Sequence, residues 1–186
     1  MSYEMKPDNA LHLVERGRDS APVADFTADN LFRRYSRYVA FIAHRIVGDP
    51  SDVEDLVQEV FLDAHRGLRY RDSEAEIKGW LSVVTTRRAQ RFLRRRKLKQ
   101  MFGLGEAPDY RDLVDPGATP EQAALARSVY RQLDRLPVKD RIAWTLRHVQ
   151  GETLERTAEL AGCSRATAHR RITAASVALK EMLGDE

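Results

Sequence analysis

Residues 153–172 read TLERTAELAGCSRATAHRRI, and this stretch sets the fold expected for the C-terminal part of the chain. Small Ala158 lets two helices approach closely, Gly162 supplies a short turn, and Ser164 is placed to cap the helix that follows. A short turn that contains glycine is typical of a helix-turn-helix, whose second helix is free to enter the DNA major groove. The stretch therefore predicts a DNA-binding motif.

The second helix of this motif has an apolar side and a polar side. Residues at steps of four and three form the apolar side: Ala168, Ile172, Ala175, Leu179 and Met182. Arginine pairs with guanine edges or phosphate, and serine and threonine contact either, so polar residues near the helix start are the candidate DNA contacts. These are Ser164, Arg165, Thr167, His169, Arg170, Arg171 and Thr173. The alternative is an αα-hairpin with a solvated basic face.

Helical periodicity and capping signals divide the rest of the chain into elements. A first helix runs from about residue 29 to 47, and a capping-box signature at Ser51 and Glu54 starts a second that ends at Gly67. A third starts near Ile77 and runs into an arginine-rich end. Further helices are predicted near 120–135, 138–150, 153–161 and 165–183, the first of them with a capping box at its start. No stretch alternates as strands do, so the predicted fold class is all-α.

These elements predict two small helical domains joined by a flexible linker, the C-terminal domain containing the helix-turn-helix. Residues 1–25 are polar without lasting periodicity and are assigned to a mobile arm. The domains are assigned to residues 26–101 and 120–186, with a Gly- and Pro-rich linker at 102–119. Fully extended, the roughly 20 linker residues span about 60 Å, more than one DNA turn of ~34 Å. The linker can therefore separate two DNA-reading modules.

Composition excludes several classes of protein. With 42% apolar and 32% charged residues, the chain is typical of soluble globular proteins. No apolar run approaches the roughly 20 residues that cross a bilayer, and residues 1–10 lack an export signal, so we expect a cytoplasmic protein without membrane insertion. A single cysteine, Cys163, excludes an intramolecular disulfide and a paired-cysteine zinc site. We expect it to be a packed thiol, and we expect no metal and no cofactor.

The charges are arranged in two opposite blocks, although the net charge is only +3. Residues 49–63 contain six acids and no lysine or arginine, whereas residues 87–99 contain eight bases and no acid. Solvated helix surfaces usually interleave the two signs, so the blocks suggest two different partners on one domain.

The acidic block lies on the second predicted helix. With the apolar side of that helix inward, Asp52, Asp55, Glu59 and Asp63 are expected to form a stripe that faces outward. Leu62 projects among them, and an exposed leucine amid acids suits a basic protein partner better than water. The alternative is a solvated acidic helix face, because single exposed leucines are common.

The basic block lies on the third predicted helix, which has bases on several faces and no acid among them. A polyphosphate would neutralise them. Arg88 falls on the same side as Leu81 and Val84. Either the helix leaves the core there, or Arg88 lies half-buried with its stem packed.

Aromatic side chains lie close to bases just before this helix. Arg69, Tyr70 and Arg71 precede Trp80, and aromatic groups among cations are typical of platforms on which single-stranded bases stack. We assign Trp80 to the core and Tyr70 to stacking.

Taken in order, these segments resemble the extracytoplasmic-function group of bacterial sigma factors. The resemblance rests on GDPSDVEDLVQEVFL at 48–62, GWL at 79–81 before an arginine-rich helix end, a linker, Leu136-Pro137 and the helix-turn-helix. It covers about residues 29–183. It implies that the first domain is sigma region 2 and the last is region 4.

The resemblance also implies the partners, which are core RNA polymerase and promoter DNA. The acidic helix would dock on the clamp helices of the β′ subunit through Asp52, Asp55, Gln58, Glu59, Leu62 and Asp63. The helix from Arg165 would read the minus-thirty-five element beside a surface for the β-flap. Residues for the melted minus-ten strand would be Arg69, Tyr70, Arg71, Lys78, Arg87, Arg88, Arg91 and Arg95. No catalytic residue is implied, and an anti-sigma partner is left open.

Two other classes of function compete with this interpretation. A helix-turn-helix regulator that binds duplex DNA as a homodimer would explain the C-terminal domain, but not the acidic and arginine-rich helices. A metal-dependent nuclease would use the acidic cluster, yet those carboxylates are expected on a helix exterior with only His65 nearby in sequence. We therefore do not expect an enzyme.

Overall fold

Seven helices in two units make up the described part of the chain. The structure is a computed structural model that describes residues 28–67, 73–104, 108, 110 and 117–184. The N-terminal unit contains α1 (Ala28–Val47), α2 (Pro50–Gly67) and α3 (Glu74–Met101). The C-terminal unit contains α4 (Pro120–Arg135), α5 (Val138–His148), α6 (Leu154–Leu160) and α7 (Arg165–Gly184). The predicted all-α class is confirmed. The arm at 1–25 and the loop residues Arg69, Tyr70 and Arg71 lie outside the described residues.

Side-chain caps explain where most of these helices begin. The capping box expected at α4 is confirmed: the Thr119 hydroxyl accepts from the Gln122 amide at 3.3 Å, and the Gln122 side chain accepts from the Thr119 amide at 2.9 Å. The helix α3 begins three residues before the predicted Ile77, because the Ser73 hydroxyl accepts from the Glu76 amide at 3.2 Å.

The predicted capping box at Ser51 and Glu54 is wrong. The helix α2 begins at Pro50, and the Asp49 carboxylate accepts from both the amide and the hydroxyl of Ser51, at 3.0 and 2.7 Å. Aspartate is a strong N-cap and proline is favoured at the first helical position, so the Asp49-Pro50 pair starts the helix two residues earlier than a cap at Ser51 would.

One hydrophobic core extends across both units. Most of its buried side chains come from α1, α2 and α3, and Ile142, Leu146 and Leu160 of the C-terminal unit complete it. A second cluster lies in the C-terminal unit and contains Tyr110, Tyr130, Leu133, Leu136, Ala175 and Leu179. The units therefore pack against each other as one body.

The turn after α1 makes a close contact between the units. Gly48 has a φ of +89°, and a Cβ there would lie 2.6 Å from Tyr110 Cε1 and 3.0 Å from Tyr130 Cδ1. Only glycine allows both the left-handed conformation and this approach. Tyr110 belongs to the predicted flexible linker but is buried, so the linker is anchored at this residue.

Replacement of Gly48 tests this contact. We expect Gly48→Ala to lower the free energy of unfolding by about 3 kcal/mol, since a left-handed alanine costs about 1 to 2 kcal/mol and overpacking about 1 to 3. Gly103 has a φ of +67° with nothing within 4 Å of its Cβ position, so Gly103→Ala should cost only about 1 kcal/mol. Urea unfolding measures both, and equal losses would contradict the steric argument.

Candidate functional surfaces

The helix-turn-helix has the local geometry predicted for it. Gly162 takes a φ of +61° in the turn between α6 and α7, and the Cys163 amide donates to the Ala158 carbonyl at 2.9 Å. The Ser164 hydroxyl then accepts from the Thr167 amide at 3.2 Å and caps α7. Cys163 is half-buried in this turn.

The helix α7 is held by its apolar side and exposes its predicted DNA-reading side. Ala168, Ala175 and Leu179 are buried, as predicted, and the Trp144 indole donates to the Ser176 hydroxyl at 3.2 Å, which joins α5 to α7. The candidate DNA contacts Ser164, Arg165, His169, Arg170 and Thr173 are exposed, while Thr167 and Arg171 are half-buried.

Arg165 has one ion-pair partner among the described residues. Its guanidinium lies 3.1 Å from the Glu155 carboxylate, and both side chains are mostly exposed. Exposed ion pairs contribute about 0 to 1 kcal/mol, so a phosphate or a guanine edge can displace Glu155 at little cost.

The acidic face of α2 divides into two sides, and the expectation of one outward stripe is wrong. Asp55, Gln58 and Leu62 face outward, with Leu62 67% exposed, and Asp55 makes no ion pair with any described residue. Glu59 and Asp63 follow Asp52 by seven and eleven residues, so all three lie on the same side of α2. This side faces α3, and each of the three carboxylates is half-buried.

Arg88 pairs with two of these carboxylates. Its guanidinium donates to Asp63 at 2.6 and 2.7 Å and to Glu59 at 3.1 Å, and its side chain is 26% exposed. This is the half-buried alternative, and the expectation that a polyphosphate neutralises the arginines of α3 is wrong for Arg88, which carboxylates of α2 neutralise. The hydrogen bond to Asp63 raises the pKa of Arg88, so the guanidinium stays charged.

Other bases of α3 remain on the surface. Arg87 and Arg91 are exposed and form no ion pair within the described part of the chain, and Arg95 is mostly exposed beside Glu59 at 3.2 Å. Lys78 lies 2.8 Å from Glu74, which lowers the pKa of that carboxyl mainly through the hydrogen bond. The candidate minus-ten surface thus keeps three readily available arginines.

A cluster of buried and half-buried charges joins the units, and sequence reasoning missed it. Arg96 of α3 lies 2.8 Å from Asp52 and 2.9 Å from Asp134 of α4. Asp134 also accepts from Arg141 of α5 and from the Tyr110 hydroxyl. We call Asp52, Arg96, Asp134 and Arg141 the Asp134 cluster. The only sequence signal for it was the arginine block, which does not say where its partners lie.

Burial shifts the pKa values around this cluster. It raises the pKa of Asp52, which the hydrogen bond from Arg96 opposes, and it also raises the pKa of Tyr110. Burial raises the pKa of Tyr130 to about 12. Both tyrosine hydroxyls therefore keep their protons near neutral pH and act as donors.

The described ranges contain neither a cluster of metal-ligating side chains nor a helix that could span a membrane. No group of three or more His, Cys, Asp or Glu side chains there could hold a metal ion. None of the helices seen there is long and apolar enough to cross a membrane.

The two units match two described families. Residues 31–99 match Sigma-70 region 2, and residues 126–179 match Sigma-70, region 4. The ECF RNA polymerase sigma factor SigM of Mycobacterium tuberculosis (strain ATCC 25618 / H37Rv) is 30% identical over 159 residues, which span 86% of this chain and 78% of SigM. The ECF RNA polymerase sigma-E factor of Escherichia coli (strain K12) is 30% identical over 189 residues, which span 96% and 95% of the two chains.

Two solved structures share the fold. The sigma factor RpoE in complex with the anti-sigma factor NepR from Bartonella quintana aligns with a TM-score of 0.60 at 20% identity, covering 84% of this chain and 96% of that one. CnrH in complex with the cytosolic domain of CnrY aligns with a TM-score of 0.55 at 21% identity, covering 86% and 88%.

The contribution of Arg88 to stability can be measured. Arg88→Ala leaves the half-buried Asp63 carboxylate without its ion-pair partner, whereas Glu59 keeps Arg95 at 3.2 Å. We expect the variant to lower the free energy of unfolding by about 1 to 2 kcal/mol, less than the 3 to 5 of a fully buried pair. Arg91→Ala, at an exposed position on the same helix, should change it by less than about 0.5 kcal/mol. Urea unfolding at low and at 1 M salt should show the difference shrinking with salt. An equal effect of the two variants would show that the α2–α3 ion pairs do not stabilise the unit.

Proposed function

Because the chain belongs to the extracytoplasmic-function group of sigma-70 family factors, we propose that it binds core RNA polymerase and directs it to promoters by reading two DNA elements. The observation that carries this proposal is the presence of two separate exposed cationic helix faces, on α3 and on α7, beside an acidic face on α2. Each face suits a different partner surface.

The helix α7 reads the upstream, minus-thirty-five element in the major groove. Its buried alanines hold it close to α5 and α6, and this leaves Arg165, His169 and Arg170 directed away from the core. Arginine can make two hydrogen bonds to one guanine, which is the commonest specific contact in this groove.

The helix α3 and the loop before it hold the melted minus-ten strand. Arg87, Arg91 and Arg95 offer charges to its phosphates. A base stacked on an aromatic or cationic plane contributes about 1 to 3 kcal/mol, and a lost base-pair step costs about 1.4. A few such contacts therefore favour the open strand over the duplex, and initiation requires no catalytic residue from this chain.

The acidic side of α2 binds the β′ clamp helices. Asp55, Gln58 and Leu62 are exposed and form the first contact, since Asp52, Glu59 and Asp63 are engaged with arginines of α3. Those three carboxylates join the interface only if a cation of the clamp replaces their arginine partner on α3.

The remaining partners and the location follow from this role. A surface beside α7 meets the β-flap, and the protein acts in the cytoplasm, where promoter DNA and polymerase are found. RpoE from Bartonella quintana is bound by the anti-sigma factor NepR. We include a comparable inhibitory protein among the partners of this chain.

A homodimeric helix-turn-helix regulator is the less favoured alternative. It would use the C-terminal unit alone, whereas residues 31–99 match Sigma-70 region 2. A regulator of that kind would migrate with itself on palindromic DNA, and a sigma factor would migrate with core polymerase.

Run-off transcription tests the proposed function directly. With core polymerase and a promoter selected from genomic DNA, transcription should depend on this chain. Asp55→Lys should reduce both core binding and transcription at least ten-fold, because it places a cation against a basic clamp surface without breaking an internal ion pair. Glu181→Lys, an equal charge reversal on exposed α7, should have little effect on core binding. Transcription that does not require the chain would refute the proposal.

Two arginine variants separate sequence reading from general DNA affinity. Arg165→Ala should lower recognition of one upstream base by about 1 to 3 kcal/mol. Arg91→Ala should weaken binding to all promoters alike. It should also make the slope of the log binding constant against log salt concentration less steep by about one unit. Binding to a set of single-base promoter variants measures both. An unchanged base preference in Arg165→Ala would mean that another residue reads this position.

A further inference from the structure

The end of α3 is a well-defined turn that presents apolar side chains to solvent. The Gly103 amide donates to the Gln100 carbonyl at 3.1 Å, and the Leu104 amide donates to the Lys99 carbonyl at 2.9 Å. With Gly103 at a φ of +67°, these two bonds form a Schellman motif, which closes the last turn of the helix. The backbone therefore fixes the positions of Phe102 and Leu104 on either side of the glycine.

Four large apolar side chains are exposed at this end of α3. Leu98, Met101, Phe102 and Leu104 are between 55 and 78% exposed, and we call them the α3 tip. Single exposed apolar residues are common, but several that lie together mark an interaction site. The contacts proposed above for polymerase and promoter DNA do not use these side chains.

Cations surround the α3 tip. Arg94 and Lys99 are exposed and form no ion pair with a described residue. Lys97 donates to the Arg135 and Leu136 carbonyls at 3.3 and 2.8 Å, which brings exposed Arg135 of α4 beside the same part of α3. A surface that covers the tip must therefore combine apolar groups with negative charge.

The positions of the cations behind the tip match those of lipid headgroups. Helical residues rise about 1.5 Å each, so with α3 end-on to a bilayer Lys99 lies about 3 Å and Arg94 about 10 Å behind Met101. The apolar side of an interfacial helix enters the boundary between headgroups and acyl chains by about 5 to 10 Å. At that depth both cations lie among the headgroups, where anionic lipids attract them.

Two other occupants fit the α3 tip less well. The acidic face of α2 in a second copy has the opposite charge, but among the described residues of α2 only Leu62 is a large exposed apolar side chain. Most of the tip would stay uncovered. Duplex DNA supplies anions, yet its backbone presents phosphates and sugars rather than apolar surface. An anionic bilayer supplies both kinds of group.

We propose that the α3 tip is a membrane-surface binding site: its apolar side chains enter the headgroup boundary of an anionic bilayer, and Arg94, Lys99 and Arg135 bind the lipid phosphates. Binding of this kind needs no membrane-spanning helix, and a single small anchor gives reversible attachment. The proposal does not depend on the proposed function.

Co-sedimentation of the full chain with lipid vesicles tests the site. Wild type should bind phosphatidylcholine vesicles that contain a third phosphatidylglycerol at least ten-fold more tightly than pure phosphatidylcholine vesicles, because each cation near an anionic surface adds about five-fold. Lys99→Gln should weaken binding to the anionic vesicles about five-fold. Lys180→Gln, the same change at an exposed position on α7, should leave binding unchanged.

Two leucine variants separate apolar insertion from simple charge attraction. Leu104→Ser should weaken binding to the anionic vesicles at least ten-fold, since it removes one large apolar side chain from the lipid interface. Leu125→Ser is the matched control, because Leu125 is 61% exposed on α4 and lies outside the tip. Circular dichroism measures whether each variant retains its helices.

A fluorescent dye reports whether the tip enters the bilayer. An environment-sensitive dye at Met101→Cys, in a Cys163→Ala background, should shift its emission to the blue on anionic vesicles. The same dye at Leu125→Cys should show no shift.

Two results would overturn the proposal. Equal vesicle binding by wild type and Leu104→Ser, without a dye shift at position 101, would mean that charge attraction alone holds the chain on the lipid. Absence of vesicle binding, together with a concentration-dependent dimer that Leu104→Ser abolishes, would show that a second copy covers the tip.

Discussion

The carboxylate of Asp134 is the group on which the arrangement of the two units depends. It lies between Arg96 of the N-terminal unit and Arg141 of the C-terminal unit, and Tyr110 of the linker donates to it as well. A buried charge is tolerated only when it is paired, and loss of one partner leaves the others uncompensated. One side chain therefore holds together α3, the linker, α4 and α5, which follow one another along the chain.

The charges of this protein serve internal and external partners with the same chemistry. The carboxylates of α2 that face α3 bind arginines within the chain, and a basic protein surface would offer them equivalent cations. The arginines of α3 bind those carboxylates, and phosphates would offer equivalent anions. Such an exchange replaces one ion pair by another, so the net electrostatic free energy changes little. What changes is which two surfaces are in contact. This is why opposite charge blocks on adjacent helices are compatible with two separate partners.

Local rules accounted for most of the secondary structure and for the upstream reading helix. The turn at Gly162, the cap at Ser164 and the capping box at Thr119 each involve residues within a few positions of one another. Apolar steps of three and four identified the side of α7 that packs against α4, α5 and α6, where Ala168, Ala175 and Leu179 are buried. The predicted start of α2 was wrong because two nearby residues can each cap a helix, and Asp49 rather than Ser51 does so.

By itself, then, the sequence determined seven helices, their order, the helix-turn-helix and the two charge blocks, because these depend on neighbours along the chain. Only the tertiary structure decided which carboxylates face solvent, where the arginines of α3 find partners and how the units meet. Periodicity separates apolar from polar sides, but it cannot tell which polar flank a neighbouring helix covers. Arg141 looks like an ordinary surface base in the sequence, yet it is buried against the end of α1, nearly a hundred residues away, because that end presents unpaired carbonyls.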